Sequence, residues 1–159
     1  MSSLMTTVVA PFAKAAGFAD VGGDALRSHH AFLVSYALGK DRDLSFHVDQ
    51  SDVTLNVCLG RKFEGGGLYF RGVRCGMHTN TPTADEEEVT YSHRPGVAIL
   101  HRGHHRHGAH KITSGERHNL ILWCRADDSS AASSSQGANW HAPQQCQDWC
   151  WINKKCCSA

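Results

Sequence analysis

The sequence predicts an all-β core, a barrel or a sandwich. Two observations lead there. Most apolar residues fall in short runs of strand length, separated by Gly, Pro and polar turns. Helical character is confined to one segment near the start, so strands must supply the core. The jelly roll is the member of this class that hosts cupin-type metal sites. Strand periodicity is common to all β-sandwiches, so the choice among them rests on residues that carry chemistry.

Taken in order, Met5 to Phe18 is expected to be helical, with Phe12, Ala15 and Ala16 on its apolar face and Pro11 at a start or a kink. Gly22 and Gly23 end that segment. Ala31 to Tyr36 reads as a buried strand. Asp43 to Asp49 (Asp-Leu-Ser-Phe-His-Val-Asp) alternates apolar and polar residues, which is the pattern of a half-buried strand. Val53 to Leu59 is the cleanest strand: Val53, Leu55, Val57 and Leu59 share one face, Thr54, Asn56 and Cys58 the other. Gly65 to Gly67 turns the chain into a short strand at Leu68 to Phe70. Cys75 to Glu88, with Pro82 and the acidic run Asp85 to Glu88, reads as a solvated loop. Strands follow at Val97 to His101 and Arg117 to Cys124. Ser129 to Gly137 is rich in Ser and Ala and reads as a flexible linker. The division expected is a domain over residues 1–128, a linker over 129–145 and a Cys-rich tail over 146–159.

Bulk properties narrow the partners. The 159 residues suffice for one domain with a real core. The net charge of +1 argues for neither nucleic acid nor an anionic membrane as partner. No apolar run approaches the roughly 18 residues that span a bilayer, and the N-terminus lacks the basic and apolar regions of a signal peptide. An odd count of seven Cys with no such peptide points to reduced thiols and an intracellular setting. Four of them, Cys146, Cys150, Cys156 and Cys157, crowd the tail, where they would make either a zinc site or free thiols.

The chemistry begins at His47-Val48-Asp49. On a strand, Ser45, His47 and Asp49 lie on one face, which sets an imidazole beside a carboxylate. Two such ligands and one distant His make the facial triad of non-heme Fe(II) oxygenases. His101 to His110 holds five His in ten residues as a supply of that third ligand, or as a nonspecific metal tract or polar loop.

Six motifs, in order, carry a resemblance over most of the chain. They are Ser28-His29-His30-Ala31-Phe32 before a strand ending in Tyr36; Phe46-His47-Val48-Asp49; Val53 to Gly60; Phe63-Glu64-Gly65-Gly66-Gly67-Leu68; the His105-Arg106-His107-Gly108-Ala109 segment; and Thr113-Ser114-Gly115-Glu116-Arg117 running into Asn119-Leu120-Ile121-Leu122-Trp123-Cys124. Together they resemble the prolyl/lysyl-type Fe(II)- and 2-oxoglutarate-dependent hydroxylases, in particular the plant and algal PKHD-type branch. The resemblance implies a double-stranded β-helix (a cupin-like jelly roll), Fe(II) as metal, 2-oxoglutarate as cosubstrate and ascorbate as an accessory. It implies hydroxylation of a prolyl or lysyl side chain in a protein or peptide, with release of succinate and CO2.

Carried onto this chain, the resemblance makes His47, Asp49 and His107 the metal ligands. His107 is selected because the branch places its third ligand ten residues before a basic residue, here Arg117; His105 and His110 are the next candidates. Arg117 would hold the far carboxylate of 2-oxoglutarate, since a guanidinium grips a carboxylate bidentately. Tyr36 stands where related hydroxylases hydrogen-bond the cosubstrate. Asn56 and Cys58 share a face directed at the pocket, and Cys58 replaces a second tyrosine of related prolyl hydroxylases. Other functions fit the same residues: the same chemistry on a small molecule, an inactive jelly roll that only binds a partner, or a His-rich metal-binding protein without turnover.

Overall fold

The computed structural model describes residues 2–126, 146 and 150–152. The expected linker at 129–145 lies outside the described residues, as do Cys156 and Cys157.

Among the described residues, nine antiparallel strands form two facing sheets. They are β1 (Ser28–Ala37), β2 (Leu44–His47), β3 (Val53–Leu59), β4 (Phe63–Gly65), β5 (Leu68–Val73), β6 (Glu88–Tyr91), β7 (Ala98–Arg102), β8 (His105–Ala109) and β9 (Ile112–Arg125). The larger sheet runs β1-β9-β3-β7, with β4 paired to the start of β9; the smaller runs β2-β8-β5-β6. With β4 set aside, the first strand lies beside the last, and successive strands cross from one sheet to the other except at the β5–β6 pair, which stays within the smaller sheet. That is the double-stranded β-helix, or jelly roll.

Alternation along the strands decides what faces what. On β3 the even residues Thr54, Asn56 and Cys58 are buried between the sheets, and on β9 the odd residues Arg117, Asn119 and Ile121 are buried with them. The opposite face, with Val53, Leu122 and Cys124, lies under the N-terminal helical segment. That segment joins a turn of α-helix (Ser2–Leu4), a π-type stretch (Met5–Val9) and an α-helix (Ala10–Ala15). The wider π turns fall just before Pro11, which has no N–H and crowds the carbonyl four residues back. The buried face is Met5, Val9 and Ala13, not Phe12, Ala15 and Ala16; Phe12 is 66% exposed. Burial of Met5 and Val9 stabilises the docked segment by roughly 1.5–3 kcal/mol each. Among the described residues no helix is long and apolar enough to cross a membrane.

Two further expectations are corrected. The His-rich stretch contains a strand, β8, at the centre of the smaller sheet. It escapes an apolar-pattern reading because its inward positions carry His and its Arg106 is buried by hydrogen bonds. The Nε and Nη2 of Arg106 donate to the Arg71 carbonyl at 2.9 and 2.6 Å, and Nη1 donates to the Thr81 carbonyl at 2.5 Å. The acidic run is not wholly solvated either. Glu87 is buried against Arg74, whose Nη2 donates to Glu87 Oε2 at 2.7 Å.

Candidate metal and cosubstrate site

Between the sheets lies a cavity of about 270 Å3. Tyr36, His47, Asp49, Asn56, His107 and Arg117 all line it. The structure therefore brings together every residue singled out for metal and cosubstrate. Cys58 is fully buried and is not among the lining residues.

At one end, His47 on β2 and His107 on β8 are direct cross-strand partners, with ring centroids 4.3 Å apart. Asp49 follows β2, its backbone N–H donating to the Gly103 carbonyl at 2.9 Å. Gly103 itself tolerates no side chain: a Cβ there would fall 1.8 Å from the Ser51 carbonyl oxygen. The ligand atoms of His47, Asp49 and His107 all lie within 4.8 Å of one another. His47 Nε2 is 3.5 Å from Asp49 Oδ1, and His107 Nε2 is 3.7 Å from Asp49 Oδ2.

Both imidazoles are oriented by backbone. His47 Nδ1 donates to the Ser45 carbonyl at 2.7 Å and His107 Nδ1 to the His105 carbonyl at 2.8 Å. With Nδ1 committed as donor, Nε2 is the metal-binding nitrogen in each neutral ring. Thr54 Oγ1 donates to Asp49 Oδ2 at 2.6 Å and holds the carboxylate in place.

The protonation states of Asp49 and His107 agree with this assignment. Burial works to raise Asp49, but the hydrogen bond from His47, the neighbouring His107 and His101 and the Thr54 hydroxyl outweigh it and hold the carboxyl at about 2. Burial and the adjacent His101 push His107 down to about 3, so it is neutral near pH 7. For His47, burial works downward, yet contact with Asp49 leaves it raised. Two imidazoles and a carboxylate on one side of a partly apolar cavity fit Fe(II) with positions left open.

Elsewhere on the cavity wall, Arg117 is 1% exposed. Its Nε donates to Asn119 Oδ1 at 2.7 Å, its Nη1 to the Gly66 carbonyl, and its Nη2 to His93 Nδ1 at 3.3 Å. Gly66 has φ of 64°, and its missing Cβ would approach Arg117 Nη1 to 3.4 Å, so glycine lets the backbone come close. Asn119 also donates to Asn56, which places Asn56 one step behind the guanidinium. Tyr36 is the cross-strand partner of Arg117, and the guanidinium carbon sits 5.3 Å from its ring centroid.

His93 is a part of this network that sequence reasoning missed. It precedes β7 in a polar turn, and its Nε2 donates to the Val97 carbonyl at 3.0 Å. Nothing in the local pattern distinguishes it from an exposed His. His101 is buried behind the triad, with Nε2 3.8 Å from Asp49 Oδ2. His105 packs on Phe70, and His110 packs on Tyr69 outside the cavity.

No protein-family model matches the chain. Curated relatives do. Over 126 residues, 79% of this chain, it is 54% identical to the 2-oxoglutarate and iron-dependent oxygenase domain-containing protein ICU11 of Arabidopsis thaliana. Over 111 residues, 70% of this chain, it is 50% identical to the 2-oxoglutarate and iron-dependent oxygenase domain-containing protein 2 of Xenopus tropicalis. The chain is homologous to the 2-oxoglutarate and iron-dependent oxygenase domain proteins. It spans about a third of the length of these relatives, 32% of the first and 30% of the second. Among solved structures, a 2OG-Fe(II) oxygenase family oxidoreductase from Burkholderia pseudomallei aligns with a TM-score of 0.47 at 16% identity, covering 64% of this chain and 43% of that one.

Proposed function

We propose that this oxygenase domain is an active Fe(II)- and 2-oxoglutarate-dependent dioxygenase that hydroxylates a prolyl or lysyl side chain of a protein or peptide. The observation that carries this reading is the convergence of His47, Asp49 and His107 on a cavity that also contains the buried Arg117. His47, Asp49 and His107 would hold the iron. When bound, iron supplies the activation of dioxygen coupled to oxidative decarboxylation of 2-oxoglutarate to succinate and CO2, with ascorbate as accessory reductant.

The remaining work falls to the chain's own residues. A guanidinium has five N–H donors, of which three serve Asn119, Gly66 and His93. Two are left to grip a carboxylate. Tyr36, raised by burial against the lowering influence of Arg117, stays a neutral hydroxyl donor. Asn56 acts through Asn119, steadying the anchor. Phe32 and Trp123 also line the cavity, packed edge to face at 5.1 Å. Their apolar wall supports a compact side chain such as a prolyl ring rather than an anionic small molecule. Cys58 and Cys124 are buried free thiols, which supports a reducing, intracellular setting.

The test is substrate-stimulated turnover. The full chain with Fe(II), ascorbate and 2-oxoglutarate is offered prolyl and lysyl peptides while succinate is measured and peptide mass followed. A gain of one oxygen on a peptide, lost in His107→Ala, is the expected result. Iron binding without any 2-oxoglutarate consumption would instead favour an inactive binding module.

A further inference from the structure

A second cluster of metal-ligating side chains stands apart from the cavity. Cys75 and His78 lie where β5 leaves the smaller sheet, around a short 3-10 turn at Gly76–His78. Cys146 and Cys150 come from the tail, about seventy residues later. The ligand atoms of all four lie within 4.8 Å of one another. From this geometry we propose that Cys75, His78, Cys146 and Cys150 form a structural zinc site that fastens the tail to the β5–β6 connection.

The distances have the pattern of a tetrahedron around one centre. With Zn–S near 2.3 Å and Zn–N near 2.0–2.1 Å, tetrahedral edges are about 3.8 Å between sulfurs and about 3.5 Å between sulfur and nitrogen. Cys75 Sγ and Cys146 Sγ are 3.9 Å apart. His78 Nδ1 lies 3.3 Å from Cys75 Sγ, 3.4 Å from Cys146 Sγ and 3.7 Å from Cys150 Sγ. One imidazole nitrogen thus faces three sulfurs at nearly equal range. Disulfides, at about 2.05 Å between sulfurs, give no such arrangement.

Spacing and surroundings agree. Cys-x2-His and Cys-x3-Cys lie within the range of paired ligands in structural zinc sites, and four protein ligands close the coordination sphere. Cys75 and Cys150 are fully buried. The Cys75 backbone N–H points to Cys150 Sγ at 3.4 Å, the donor a metal-bound thiolate accepts. Beside the cluster, the Arg74 guanidinium sits 4.9 Å from the Trp151 ring centroid while paired with Glu87. Residues 79 and 81 of the same connection accept hydrogen bonds from Arg106, next in sequence to His107. The zinc site would therefore brace the loop that backs the strand of the third iron ligand. Two of the tail cysteines read from the sequence as a shared zinc site or as free thiols, Cys146 and Cys150, meet partners from the body of the domain.

The test is metal content of the full chain, purified with reductant and without chelator, in an Asp49→Ala/His107→Ala background that removes the cavity site. A single equivalent of tightly held zinc is expected. It should be lost in Cys75→Ser and in Cys146→Ser, kept in Cys156→Ser/Cys157→Ser, and kept in His78→Cys, which replaces one good ligand by another. Cobalt loaded into the otherwise unaltered background should show thiolate-to-cobalt charge transfer and intense tetrahedral bands, a readout that needs no cysteine variant to fold. Zinc that follows Cys156 and Cys157, cobalt spectra without thiolate bands, or a Cys75–Cys146 disulfide in the reduced preparation would each overturn the assignment.

Discussion

The metal end of the cavity and its arginine end are built in different ways. His47 and His107 sit on short strands of the smaller sheet, and each ring is aimed by a backbone carbonyl two residues earlier. Arg117 sits on the longest strand of the larger sheet and is aimed by a side-chain network of Asn119 and His93, together with one glycine carbonyl. Backbone aiming survives most neighbouring substitutions, because any residue at 45 or 105 supplies a carbonyl. Side-chain aiming does not. The two imidazoles should therefore keep their aim through neighbouring substitutions, whereas the arginine should loosen in steps as its supports are removed.

The largest effects should come from the ligands. His47→Ala, Asp49→Ala and His107→Ala should each abolish succinate formation and lower bound iron while circular dichroism still reports a folded barrel. Activity that persisted in His107→Ala and vanished in His110→Ala would move the third ligand.

Arg117→Ala should come next. Truncating one side of a buried charge pair costs about 2–5 kcal/mol, so the apparent 2-oxoglutarate KM should rise roughly 30-fold or more. Iron content should not change. Arg117→Lys keeps the charge but loses the fork, and should fall between. An unaltered KM in Arg117→Ala would remove the anchor.

Metal affinity should depend on pH through one group. Burial lowers His47 but Asp49 raises it further, so its proton persists to higher pH than in a free imidazole. His107 and Asp49, at about 3 and about 2, are already deprotonated near neutrality. Binding should release a single proton, from His47. Affinity should then fall about tenfold for each pH unit below the raised His47 value and level off above it. A titration of Ni(II) binding against pH, in protein whose Cys75 and Cys146 are replaced by Ser, measures the slope. A slope near two would show that a second ligand also carries a proton.

The smallest expected effect isolates side-chain aiming. His93→Ala removes one acceptor from the Arg117 guanidinium, worth about 1 kcal/mol. The KM for 2-oxoglutarate should rise about fivefold, with iron binding unaltered. Replacing Ser45 by Ala leaves its carbonyl in place and should alter neither quantity. A clear loss of iron in Ser45→Ala would contradict the contrast between the two ends.

What the sequence determined by itself was local. Alternation along Val53–Leu59 and along Arg117–Cys124 is a property of extended backbone, so the inward residues Thr54, Asn56, Arg117 and Asn119 could be read without partners. His47 and Asp49, two apart, were legible as neighbours for the same reason. Tertiary structure decided what strand register and docking control. It set His107 rather than His105 or His110 opposite His47, because the β2–β8 pairing joins residues sixty positions apart. It brought His93 from a polar turn to Arg117. It turned Met5, Val9 and Ala13 onto the sheet instead of Phe12, since the direction of a weakly amphipathic helix follows the surface it covers. It also gathered Cys75 and His78 with Cys146 and Cys150, a set that no spacing within the tail could reveal, because half of its donors lie on the far side of the fold's last strand in sequence.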